Sequence, residues 1–130
     1  MRRLRAAGLR TAAVPAGRNM VAVLASARLR GLFDAEVDGV EAGRLGLAGK
    51  PDPTLFLEAA RRLQVAPALA AAVEDAQAGV EAGHRGRFRM VVGVDRGSQA
   101  AALAQRGADL VVADLGQLTL APAVTPRGER

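Results

Sequence analysis

Apolar residues recur along this chain in two rhythms, and their alternation predicts the fold. Residues 1–9 carry Leu4 and Ala7 at helical spacing and stop at Gly8. Thr11–Val14 is a short apolar run, the pattern of a strand covered on both faces, and Pro15 and Gly17 break it. Val21, Leu24, Ala25 and Leu29 place a helix over 19–30. Phe33–Val37 reads as a second extended segment, followed by a loop punctuated by Gly39, Gly43, Gly46 and Gly49. Asp52 is a natural N-cap and Pro53 a natural first helical residue, so a helix is expected to about Leu63 with Leu55, Phe56, Ala59 and Leu63 inward.

The second half keeps the alternation. A strand is expected over 70–73, then a helix over 77–82 that Asp75 would cap. Strands over 90–94 and 110–113 flank a helix over 99–105. The segment from Ala121 holds Pro122, Pro126 and Gly128 and predicts a disordered tail, which leaves residues 1–120 as one domain. Helices alternating with nearly uniform apolar strands predict an α/β class with a mainly parallel sheet. No internal repeat is visible.

Composition narrows the chemistry. The chain has 130 residues, a length suited to a single domain. It has no Cys, which excludes disulfides, thiolate metal sites and a cysteine nucleophile. His84 is the only histidine; this excludes two-histidine metal motifs, and a place at the end of a short helix accounts for it. With no Trp or Tyr and only three Phe, stacking platforms for single-stranded nucleic acid are missing. The formal net charge is +5, carried by seventeen Arg and one Lys, and arginine filling exposed positions explains it without a nucleic-acid partner. No apolar run reaches the roughly 18 residues of a membrane span. The seven Arg of residues 1–33 lie in a stretch that reads as ordered structure rather than a targeting peptide, so a cytoplasmic protein is expected.

In open parallel sheets, ligands bind beyond the carboxyl ends of the strands. Pro15 to Asn19 follows the first strand, and Gly49-Lys50-Pro51 follows the second strand and its loop. Glu74-Asp75 follows the third, and Asp95-Arg96 the fourth. Carboxylates suit Mg²⁺, which takes one or two of them alongside phosphate and water. Cations beside them offset phosphoryl charge. This set fits phosphoryl transfer.

Each member also has a plainer reading. Glu74-Asp75 reads as a solvated turn with Asp75 capping a helix. Lys50 reads as a surface lysine, although it is the only lysine where every other basic residue is arginine. Asn19, the only asparagine, would cap its own helix. Arg18 is a cation at a helix start, against the dipole unless an anion binds there. Asp34, Glu36 and Asp38 alternate as a solvated face. Gly43 to Lys50 is not a P-loop: its spacing is one residue too long, and Pro51 stands where Ser or Thr is needed.

Taken in order, several segments resemble the haloacid dehalogenase (HAD) superfamily, on the branch of the β-phosphoglucomutase-like phosphatases. They are Phe33-Asp34, Val37-Asp38-Gly39, Gly49-Lys50-Pro51-Asp52-Pro53, Phe56, and Val73 through Val80. The resemblance runs from about Leu4 to Leu118. It implies a Rossmann-like, three-layer core and Mg²⁺-dependent transfer of a phosphoryl group from a sugar phosphate to an aspartate. It further implies that Lys50 offsets charge at the nucleophile and phosphoryl group, that Glu74 and Asp75 hold Mg²⁺, and that Arg18 and Asn19 contact substrate phosphate.

Two departures from the family pattern stand out. The phosphate-binding segment opens with Pro15, where a Ser or Thr hydroxyl is usual, and proline offers neither hydroxyl nor N–H. No Asp-x-Asp occurs anywhere, so the aspartate nucleophile and its acid/base neighbour are missing. The first strand and the helical cap, expected before Met1, are not in the sequence. The expectation is therefore the C-terminal portion of a HAD core without its cap, catalytically silent alone. A strand would be missing beside Thr11–Val14, leaving an open sheet edge for a partner chain. The alternative is a non-catalytic pseudoenzyme or module that binds a phosphorylated ligand or a partner.

Overall fold

A computed structural model of the chain describes residues 2–14 and 31–119. The opening helix α1 (Arg2–Ala6) ends at Gly8, whose φ of +80° is the left-handed conformation that glycine tolerates. Strand β1 (Ala12–Ala13) follows and pairs in parallel with β2 (Ala35–Glu36), Ala12 opposite Ala35 and Ala13 opposite Glu36. Thr11 anchors this pair. Its N–H donates to Asp34 Oδ2 at 2.8 Å, and its hydroxyl donates to the Leu32 carbonyl at 3.3 Å.

The glycine-punctuated stretch after β2 is not a loop throughout, as its composition predicted: Gly39–Arg44 is helix α2. Two contacts outweigh the poor helix propensity of its glycines. Asp38 accepts from the Val40 N–H at 2.7 Å as N-cap, and Arg62, far along the chain, clamps Glu41 at 2.6 Å. Asp38 and Asp34 are thus structural acceptors rather than a merely solvated face. Helix α3 (Thr54–Leu63) begins one residue later than the Pro53 expected; the Asp52 carboxylate accepts from the Thr54 N–H at 2.9 Å. It buries Leu55, Phe56, Ala59 and Ala60, while Leu63, expected inward, is only half-buried.

A 3₁₀ turn (Pro67–Leu69) leads into the second sheet. Strands β3 (Ala71–Glu74), β4 (Met90–Val94) and β5 (Leu110–Val112) lie in that order, all parallel, with Ala72 opposite Val91 and Val92 opposite Leu110. Helices α4 (Gln77–Arg85) and α5 (Ala100–Gln105) are the crossovers. Val80, Val91 and Leu103 pack into one fully buried cluster beneath them. Phe56 joins the two halves of the molecule, packing with Ala72, Ala82 and Val14. Among the described residues the two sheets are not paired with each other. Among the described residues there is no cap domain, and no helix is long and apolar enough to cross a membrane. The tail from Ala121, and the helix expected over 19–30 with Arg18 and Asn19 beside it, lie outside the described residues.

Candidate functional site

Parallel strands place their carboxyl ends on one rim. Here that rim encloses a cavity of about 780 Å³, lined by Val14 after β1, Gly49 and Lys50 before α3, and Val73, Glu74 and Asp75 at the end of β3. Val94, Arg96, Asp114 and Leu115 complete the far wall. Lys50, Glu74 and Asp75, singled out in the sequence, therefore do meet at one mouth.

Lys50 sits at the centre. Its side chain is only 9% exposed, and its ammonium forms an ion pair with Glu74, itself 11% exposed. The same ammonium donates to the Val14 carbonyl at 2.9 Å and lies 4.9 Å from the centroid of the Phe56 ring. A compact point charge fits this pocket between carboxylate, carbonyl and aromatic face, whereas the planar fork of an arginine demands another geometry. That is a physical reason for the one lysine to stand here. The Lys50–Pro51 peptide bond is cis.

Asp75 behaves differently from its neighbour. Helix α4 takes Ala76 as its N-cap and receives no side-chain cap, so the helix-capping role expected of Asp75 is not what the structure shows. Ala76 is already extended (φ −114°, ψ 143°), which moves the cap position one residue past Asp75. Its carboxylate is half-exposed at the cavity and stands 3.7 Å from the Arg96 guanidinium. Arg96 is 79% exposed, and a pair this open is weak. Asp95, by contrast, is turned to its own loop. It accepts from the Gln99 N–H at 2.8 Å and the Gly97 N–H at 3.0 Å, and those bonds hold its carboxyl below the ordinary range.

Asp114 and Leu115 escaped the sequence reading, which followed the last strand to Ala113 and no further. The rule that drew attention to the other strand ends applies to them equally. Asp114 Oδ1 accepts from the Gly116 N–H at 2.7 Å and caps a 3₁₀ turn (Leu115–Gln117). His84 lies at the opposite end of α4 from Asp75, against Gly107, and is not part of this rim.

Glu74 and Asp75 are carboxylates that would suit Mg²⁺, and Lys50 is a cation that would offset phosphate charge. No group of three or more His, Cys, Asp and Glu side chains converges among the described residues. An ion here would rest on few carboxylates, with phosphate oxygens and water as further ligands, which is the habit of Mg²⁺.

Comparison with known proteins identifies the family and the fold. The profile of the haloacid dehalogenase-like hydrolases matches residues 1–87, and the chain belongs to that family. A β-phosphoglucomutase of Mycobacterium tuberculosis is 47% identical over 116 residues, which are 87% of this chain and 44% of that protein. A trehalose-phosphate phosphatase of Mycobacterium leprae is 34% identical over 122 residues, covering 91% of this chain and 27% of that one. Among solved structures, a β-phosphoglucomutase of Clostridium difficile superposes with a TM-score of 0.76 at 28% identity, covering 90% of this chain and 48% of the other. The chain thus spans less than half the length of these relatives, and the shared part is the Rossmann-like core.

Proposed function

We propose that this chain is the C-terminal portion of a Mg²⁺-dependent phosphatase or phosphomutase acting on a sugar phosphate. The observation that carries the reading is the buried Lys50–Glu74 pair beside a half-exposed Asp75 on one strand-end cavity. Such a mouth offers a cation for phosphoryl oxygens and carboxylates for a metal ion. The relatives' names, β-phosphoglucomutase and trehalose-phosphate phosphatase, support a phosphorylated sugar as substrate class.

In this reading Lys50 offsets negative charge as it builds on the transferring phosphoryl group. Its ammonium is already desolvated and aimed, so little reorganisation accompanies the reaction. Glu74 fixes the lysine and, with Asp75, supplies carboxylate oxygens to the metal. Mg²⁺, when bound, neutralises phosphoryl charge and orients the ester. Arg18 and Asn19 grip substrate phosphate. The attacking aspartate is not in this chain, which contains no Asp-x-Asp, so the chain alone carries out no turnover.

The sheet arrangement supports a partner segment. Among the described residues β1 pairs only with β2, and β3 only with β4. Their other edges are bridged by the Lys50 and Phe56 side chains, and Val73 of β3 is 46% exposed. A further strand between β1 and β3 would satisfy both edges and bring the nucleophile to the cavity. The experiment is complementation: co-express the chain with the Asp-x-Asp-bearing N-terminal half of a homologous β-phosphoglucomutase. Sugar-phosphate turnover in Mg²⁺ that Asp75→Ala abolishes is the expected result. Turnover by the chain alone, or a stable complex with no turnover, would contradict the reading.

A further inference from the structure

Gly79 occupies the third position of α4, is buried, and adopts ordinary helical geometry without a positive φ. Its backbone conformation therefore does not call for glycine, and glycine is a poor helix former. The surroundings supply the reason. A methyl group built at Gly79 would overlap the Glu74 side chain, its carboxyl carbon, one oxygen and the adjoining methylene. The other buried glycine of this helix differs: at Gly83 a methyl would meet the side chains of Ala72 and Val91 at 3.1–3.2 Å, a matter of apolar packing.

We infer that Gly79 is a positioning residue whose missing side chain forms the slot that seats the Glu74 carboxylate against α4. Glu74 is held from two sides, with Gly79 behind it and the Lys50 ammonium in front. Lys50 is held in turn by the Val14 carbonyl and the Phe56 ring. The slot keeps Glu74 turned to the lysine in the cavity wall, beside the more exposed Asp75. With alanine at this position the Glu74 carboxylate must leave the slot, and Lys50 loses its fixed partner.

The functional weight of this inference rests on the proposed phosphoryl-transfer reading. Its test needs neither metal nor phosphate, so the two stand or fall separately. Because Lys50 is the only lysine, its ε-methylene gives one unambiguous side-chain NMR signal, displaced by the ring current of Phe56. Four versions of this chain are compared: the unsubstituted sequence, Gly79→Ala, Glu74→Ala and the double variant. In the unsubstituted background Gly79→Ala lowers the melting temperature and moves the Lys50 signal towards that of free lysine. In the Glu74→Ala background the overlap is gone, so the same substitution raises the melting temperature and leaves the Lys50 signal where Glu74→Ala put it. Glu74→Asp, one methylene shorter, restores part of the loss caused by Gly79→Ala. A Gly79→Ala chain with unchanged melting temperature and Lys50 signal would overturn the inference. An equal drop in both backgrounds would overturn it too. If the Glu74→Ala chain does not fold, Lys50→Met with Glu74→Ala removes both charges and provides the background for the same comparison, where Gly79→Ala must again raise the melting temperature.

Discussion

One Lys50 side chain joins the carboxyl ends of two strands that do not pair with each other: its ammonium donates to the Val14 carbonyl at 2.9 Å while forming an ion pair with Glu74. The sole lysine is thus both an element of the site and a clasp between the two sheets. Breaking one member of a buried pair leaves the other desolvated and uncompensated. Lys50→Ala is expected to lower unfolding stability by about 3 kcal/mol in urea titrations. Lys50→Arg should recover only part of it, because the guanidinium fork does not match the pocket. Full recovery by arginine would show that charge alone matters here.

Acid should weaken the fold over a defined window. Hydrogen bonds from Arg61 and Arg62 hold Glu58 down at about 2. Arg62 lowers Glu41, the Thr11 N–H lowers Asp34, and the Thr54 hydroxyl and N–H lower Asp52. These carboxyls bind protons less readily folded than unfolded. Their stabilisation is complete above the unfolded range near ~4.3 and is lost as pH falls through the folded values, towards about 2 for Glu58. The melting temperature is expected to be flat from pH 7 to 5 and to fall between pH 4.5 and 2.5, with a shallower fall in Glu58→Gln. An identical slope in that variant would remove Glu58 from the account.

Asp75 is expected to matter for ligands and not for stability. A helix-capping aspartate costs about 1 kcal/mol when replaced by alanine. Since α4 takes no cap from Asp75, Asp75→Ala should change unfolding stability by less than about 0.5 kcal/mol. Chemical denaturation decides between the two values, and a loss of a full kcal/mol would restore the capping reading.

The legible and illegible parts of this molecule differ in the range of the forces involved. Strands β3, β4 and β5 were legible because short, mostly apolar runs bounded by turn residues have few alternatives. That Lys50, Glu74 and Asp75 meet at one cavity was legible because the strand-end rule of a parallel sheet needs only the order of elements. Helix α2 was not, since its glycines argue locally for a loop while Arg62, twenty-one residues on, clamps Glu41. The capping role of Asp75 failed for a similar reason: the local sequence permits the cap, but the backbone places Ala76 in that position. The seat that Gly79 makes for Glu74 depends on how tightly a helix approaches a strand end, which spacing does not encode.

In the proposed reading this mouth holds magnesium beside a phosphate group. Isothermal titration calorimetry of the full chain with inorganic phosphate, run with and without MgCl₂, tests it most directly. Saturable phosphate binding that requires Mg²⁺ and disappears in Asp75→Ala is expected. Phosphate binding indifferent to both Mg²⁺ and Asp75, or none at millimolar concentrations of either ligand, would contradict it.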